Sequence, residues 1–173
     1  MPAGAFIRQM TRKEYNDTVK QWADDVYRFS VHCCSDSEMA KDGVQEAFAA
    51  LWEQREQVSV EKGKSFLLAV AHNWTISQLR HRKVHEDNVN ALRGDTVAEP
   101  DMAFDLRDAL QKAAARLPEI QRSALMLKDV EGFNCREIGE ILHLTESQVT
   151  VYLFRARVSM RKTLIALGYD NNK

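Results

Sequence analysis

Helix breakers are scarce in this chain. Its 173 residues include 3 prolines and 7 glycines, and no useful length alternates apolar with polar side chains as a half-buried strand would. An all-α fold follows. No apolar run reaches the ~20 residues that a bilayer-spanning helix needs. Residues 1–10 lack the basic start, apolar centre and small-residue cleavage site of a secretion signal. A cytoplasmic chain that does not insert into membranes is therefore expected. Cysteine is sparse too. Cys33, Cys34 and Cys135 are odd in number and two are adjacent, which fits reduced thiols better than a disulfide. His32 beside Cys33 and Cys34 lacks the second ligand pair of a zinc site, and His81 and His85, one turn apart, lack a third ligand. No metal or other cofactor is expected.

Net charge is also small, −1 overall, but it is unevenly spread. Residues 1–83 carry 12 basic and 11 acidic side chains, residues 84–103 carry 1 and 5, and residues 104–173 carry 11 and 9. Two mildly basic parts flank an acidic middle. So weak a charge gives weak non-specific binding to nucleic acid by the free chain, so another component must supply most of the affinity. Residues 84–103 are polar and acidic, hold Gly94 and Pro100 and show little periodicity, as a flexible linker does. Two small helical domains are expected on either side, at 10–83 and 104–170.

The most informative stretch is Leu117 to Leu167. Pro118 suits a helix start, and Gly132 breaks the chain. Asn134 with Glu137 forms a capping box, and Ile138, Ile141 and Leu142 give the helix an apolar face. Thr145 with Gln148 forms a second box. A short helix, a tight turn and a longer helix make a helix-turn-helix, the arrangement that lays a helix in a DNA major groove. In the last helix Val149, Leu153, Ala156, Met160 and Leu164 share the inward face. Ser147, Thr150, Val151, Phe154, Arg157 and Arg161 lie off it. Phe154 suits a thymine methyl or a sugar edge, and Arg155, Arg157, Arg161 and Lys162 suit phosphate.

In the N-terminal part, Tyr15, Val19, Trp22, Val26 and Phe29 mark a helix from Glu14 to His32. Ser35 and Glu38 form the capping box of the next, which carries Met39, Val44, Phe48, Leu51 and Trp52. Gln54–Gly63 is charged and polar, a loop. Helical spacing resumes over Ser65–Lys83, where apolar spacing turns Trp74 inward. Arg80-His81-Arg82-Lys83 ends that helix. Cations favour a helix C-terminus, but four such residues below Asn73 and Trp74 also suit single-stranded bases. Asp42 and Glu46 share a helix face. Without a nucleophile or a metal ligand beside them, a surface for a basic protein is simpler than acid–base catalysis.

These motifs together resemble the sigma-70-type factors of the extracytoplasmic-function (ECF) group, small bacterial initiation factors with only regions 2 and 4. Asp42-Gly43-Val44-Gln45-Glu46-Ala47-Phe48 with Leu51-Trp52 is similar to region 2.2. Ser65–Asn73 followed by Leu79–Lys83 resembles regions 2.3 and 2.4, and Leu117–Arg122, Glu137-Ile138, Ile141-Leu142, Val149 and Arg155–Arg157 resemble region 4. The resemblance implies a non-enzymatic sigma factor whose Asp42, Gln45 and Glu46 dock on the β and β′ subunits of core RNA polymerase. It implies that Asn73, Arg80, Arg82 and Lys83 engage a melted −10 element, with Gln54–Gly63 as the pocket for a flipped base. It implies that Ser147, Thr150, Val151 and Phe154, with Arg155 and Arg157 on phosphate, read a duplex −35 element of promoter DNA. It also implies an anti-sigma partner, commonly membrane-anchored. Thr150 and Tyr152 stand where the family often has basic residues, so a T-rich element read by apolar contact is expected. Gly43 and Gly139 replace bulkier residues. Gly43 lowers local helix stability by roughly 1 kcal/mol, and Gly139 allows close packing of two helices. A stand-alone helix-turn-helix regulator is the alternative, disfavoured by the near-neutral charge and the lack of a dimer seam.

Overall fold

The structure, a computed structural model, describes residues 9–89 and 106–169. Caps and apolar spacing visible in the chain account for most of its helices. Helix α1, Arg12–Cys34, is opened by Thr11 and Glu14, whose side chains each bond the other's backbone N–H. The helix therefore begins two residues before the expected start at Glu14. Ser35 does not cap the next helix as expected. It sits at φ 55 and closes α1 by donating its N–H to the Val31 carbonyl. The cap of α2, Ser37–Gln54, is Asp36, whose carboxylate accepts the Glu38 and Met39 N–H groups, both at 3.0 Å. A carboxylate at a helix N-terminus also meets the positive end of the helix dipole, so Asp36 outcompetes the neighbouring serine.

Gln54–Gly63 contains a turn and a single 3-10 turn, Val60–Lys62. Helix α3 then runs from Gly63 to Val89, beyond the expected end at Lys83. Helix thus covers the first residues of the expected linker, and its remainder, 90–103, lies outside the described residues. The second half holds α4 (Leu106–Ala115), α5 (Glu119–Asp129), α6 (Cys135–Leu142) and α7 (Glu146–Ala166). Both of its expected capping boxes form: Asn134–Glu137 opens α6 and Thr145–Gln148 opens α7. Gly132, at φ 78, makes the turn before α6 in a conformation costly for other residues.

Phe29, Leu51, Leu67 and Leu68 are fully buried among α1, α2 and α3, and Leu127, Ile138, Ile141 and Val149 among α5, α6 and α7. The two sets form one continuous cluster. The halves are packed against each other, with α1 on α5 and α3 on α6. Gly43 lets α3 approach α2, since a Cβ there would lie 3.1 Å from Thr75 Oγ1 and 3.2 Å from the Trp74 ring. Trp74 is half-buried in that contact, as its spacing suggested.

Gly139 serves a different contact from the expected one. Its absent Cβ would fall 2.6 Å from the Leu144 carbonyl oxygen, in the turn between α6 and α7 rather than on a neighbouring helix. The Leu144 N–H in turn donates to the Gly139 carbonyl at 2.9 Å. Gly139→Ala therefore forces backbone apart in the turn. It should destabilise the chain by about 1–3 kcal/mol, the usual cost of overpacking, read as a lower thermal midpoint. An unchanged midpoint would contradict this packing.

Candidate nucleic-acid interface

Helix α7 turns one face inward and leaves another bare. Val149, Leu153 and Ala156 are buried, whereas Met160 and Leu164 are half-buried along a groove shared with Leu106 and Leu110. Ser147, Thr150, Val151, Phe154, Arg155 and Arg157 are all exposed. Phe154 is 69% exposed, the largest value among the exposed large apolar side chains, and Val151 is 45% exposed. Water-facing apolar side chains on a capped helix gain nothing from the fold, and they can grip an apolar target. The Thr150 hydroxyl donates back to the Glu146 carbonyl at 3.0 Å. Arg157 is engaged as well: it holds Asp129 of α5 at 2.8 Å, so a phosphate would have to compete for it.

The residues singled out near the end of α3 do not share one face. Asn73 and Arg80 are seven residues apart and lie on one stripe, joined by Ser77, His81 and Val84 around a cavity of about 490 Å³. Arg82 is nine residues from Asn73, or about 180° round the helix. It reaches back to Asp36 at 2.9 Å and steadies the cap of α2. That ion pair and the Met39 N–H hold the Asp36 carboxyl below the usual range, with the N–H contributing most. Lys83 is exposed between the two faces. The far wall of the cavity is made by Glu119, Ile120 and Leu142 of the second half, and Asn73 Nδ2 lies 3.4 Å from His143 Nε2.

The Gln54–Gly63 segment, expected to hold a flipped base, borders a groove of about 450 Å³ lined by Gln57, Val58, Ser59, Lys62, Ser65 and Phe66. Glu140 and Ile141 of α6 close its side, and Lys62 pairs with Glu140 at 3.3 Å. On α2, Asp42, Gln45 and Glu46 are all exposed, whereas their neighbours Gly43 and Ala47 are buried. Nearby, Trp52 meets Tyr15 edge-on with ring centres 5.0 Å apart and carries the Arg55 guanidinium 4.3 Å above its ring. Among the described residues no three His, Cys, Asp or Glu side chains converge as a metal site would require. Cys33 is wholly buried beside the Ser123 hydroxyl, and burial pushes its thiol up to about 12.

Three residues that matter to this geometry are given no role by the sequence. Lys64, one residue before the expected start of this helix, pairs with Asp25 at 3.3 Å and with Glu131 at 2.8 Å. Arg122 donates to the carbonyls of His32 and Cys33 at the end of α1, and to those of Ala115 and Leu117 at the end of α4. His72 is 6% exposed, and neither ring nitrogen has a hydrogen-bond partner.

Burial lowers the His72 pKa from 6.5 to about 4. The Asn73 side chain opposes the shift, while His143 and Arg80 add to it. The folded chain therefore holds this ring neutral where the unfolded chain would protonate it. The stability so gained is present above pH 6.5 and is lost as pH falls toward 4. The loss approaches about 3 kcal/mol at 1.36 kcal/mol per pKa unit. His72→Leu should flatten that part of the pH–stability curve in denaturant titrations. An equally steep curve in the variant would show that other groups carry it.

Two family models match the chain: Sigma-70 region 2 over residues 18–84 and Sigma-70, region 4 over residues 107–160. The chain is similar to the ECF RNA polymerase sigma factor SigM of Bacillus subtilis (strain 168), at 27% identity over 84% of this chain and 92% of SigM. It is similar to SigW of the same organism, at 24% identity over 91% of this chain and 92% of SigW. Among solved structures, it has the fold of the sigma factor RpoE in complex with the anti-sigma factor NepR from Bartonella quintana. The TM-score is 0.72 at 23% identity, covering 88% of this chain and 97% of RpoE. CnrH in complex with the cytosolic domain of CnrY matches with a TM-score of 0.66 at 15% identity over 90% of both chains.

Proposed function

This chain belongs to the sigma-70 family, as a sigma factor of the extracytoplasmic-function group that directs transcription initiation, and from that premise we propose how its surfaces divide the work. The observation that carries the proposal is the separation of three unlike exposed surfaces on one chain. These are a carboxylate stripe on α2, a polar and basic stripe on α3, and an apolar and basic face on α7. Residues 10–83 act as region 2 and residues 104–170 as region 4, with 84–103 between them.

Asp42, Gln45 and Glu46 dock on the β and β′ subunits of core RNA polymerase. Their exposure suits a basic partner, and no buried group depends on them. Asn73 and Arg80, assisted by Arg82 and Lys83, hold the melted −10 strand, and the groove beside Gln57 and Phe66 takes a flipped base. Flipping costs a few kcal/mol, which pocket contacts must offset. Ser147, Thr150, Val151 and Phe154 read the −35 duplex from the major groove, with Arg155 and Arg157 on phosphate. Because Val151 and Phe154 offer methyl-matching surface and no base-edge donor, T-rich sequence is favoured there.

The chain works in the cytoplasm, where polymerase and DNA are, and has no catalytic site of its own. RpoE and CnrH are each held by a protein partner, which supports an anti-sigma factor for this chain. CnrY meets CnrH through a cytosolic domain, which supports a membrane-anchored partner.

Asp42→Arg with Glu46→Arg should abolish co-purification with core polymerase while leaving the helical circular dichroism intact, because both residues are exposed. Unchanged binding would overturn the docking assignment. In holoenzyme footprints, Phe154→Ala should lower affinity by about 1–3 kcal/mol at a T-rich −35 element and less elsewhere. Arg155→Ala should weaken all duplexes alike and reduce the salt slope by about one. The reverse pattern would exchange their roles.

A further inference from the structure

We propose that Asp36 is a positioning residue for DNA capture: its carboxylate occupies the Arg82 guanidinium as a phosphate would, and so holds down the sequence-independent part of the affinity for single strands. The inference rests on the assignment of the −10 strand to the end of α3. One carboxylate joins two surfaces. Its Oδ1 accepts the Glu38 and Met39 N–H groups at the start of α2, both at 3.0 Å, and its Oδ2 accepts from Arg82 Nη1 at 2.9 Å. The helix that carries Asp42 and Glu46 and the helix that carries Asn73 and Arg80 are thus linked through a single side chain.

The two partners are held unequally. Asp36 is fixed, because backbone N–H groups and the positive end of α2 keep it in place whether or not Arg82 is there. The Met39 N–H above all, with Arg82, keeps its carboxyl below the usual range, so it stays charged at neutral pH. Arg82 is the replaceable partner's ligand. Its side chain is 49% exposed, and an ion pair so open to water contributes little. A phosphate offers a guanidinium the same kind of paired anionic oxygens and can take it from the carboxylate.

The pair also aims Arg82. It sits about 180° round the helix from Asn73, and Asp36 draws its guanidinium towards α2, away from the Asn73 and Arg80 stripe. Lys83, between the two faces, is exposed. A released Arg82 can swing beside Lys83 and add a cation at the edge of the strand site. Phosphate contacts carry no sequence information, so an Arg82 open at all times would strengthen binding to every strand alike. Held by Asp36, it leaves the contacts made to bases with the larger share of the affinity.

Asp36→Asn tests this, because asparagine caps a helix as well as aspartate does but brings no charge to hold Arg82. Assembled with core polymerase and measured against core alone, the variant should bind a fluorescent random-sequence single strand of about 12 nucleotides roughly two- to fivefold more tightly than wild type. Its salt slope should steepen by about 0.7, the increment for one phosphate contact on a single strand. Arg82→Ala should abolish that gain in the Asp36→Asn background and change the wild type by less. Asp36→Ser, a second uncharged cap, should behave like Asp36→Asn. Unchanged affinity and slope, or weaker binding by both cap-preserving variants, would overturn the proposal. So would a gain that survives Arg82→Ala, since loss of a nearby negative charge would then suffice to explain it. The −10 assignment fails on a separate result: Asn73→Ala with Arg80→Ala would leave strand binding at the wild-type level.

Discussion

Burial of short helices is the constraint on which this molecule depends. Helix α6 has eight residues, below the ~12–15 at which an isolated helix becomes even marginal in water. It persists because Ile138, Ile141 and Leu142 are buried and because Asn134 and Glu137 satisfy two of its orphan donors. Those same apolar residues bring α6 against α3. The element that packs against α7 thus also helps to join the two halves.

What the core leaves over is the functional surface. Phe154 and Val151 face solvent only because Val149, Leu153 and Ala156 commit the other side of α7 to the fold. Asp42, Gln45 and Glu46 stay exposed while Gly43 and Ala47 commit the neighbouring face of α2 to the core. Charge follows the same economy. A chain of net charge −1 attracts DNA weakly, and its cations are partly occupied: Arg82 by Asp36, Arg157 by Asp129, Lys64 by Asp25 and Glu131.

The helix-turn-helix was legible in the chain because its signals are local. Asn134–Glu137 and Thr145–Gln148 lie three residues apart, and a capping box needs nothing else. The cap of α2 was misread one residue early because Ser35 and Asp36 are both good caps, and the left-handed closure of α1 at Ser35 adds to the carboxylate's advantage at Asp36. The end of α3 was misread because polar composition argues for a linker whereas a long helix can continue through polar residues. Lys64, Arg122 and His72 stayed hidden since their partners lie on other helices. The stripe of Asn73 and Arg80 was visible, but its division from Arg82 appears only when the nine-residue spacing is wound into a helix.

The most direct test is start-site mapping with purified core RNA polymerase on DNA from the chain's own genome, with and without this protein. Initiation directed by this factor predicts starts that appear only when the chain is present and that share two upstream elements, the distal one T-rich. No new starts, together with tight duplex binding by a dimer of the chain alone, would contradict it and identify a stand-alone regulator instead.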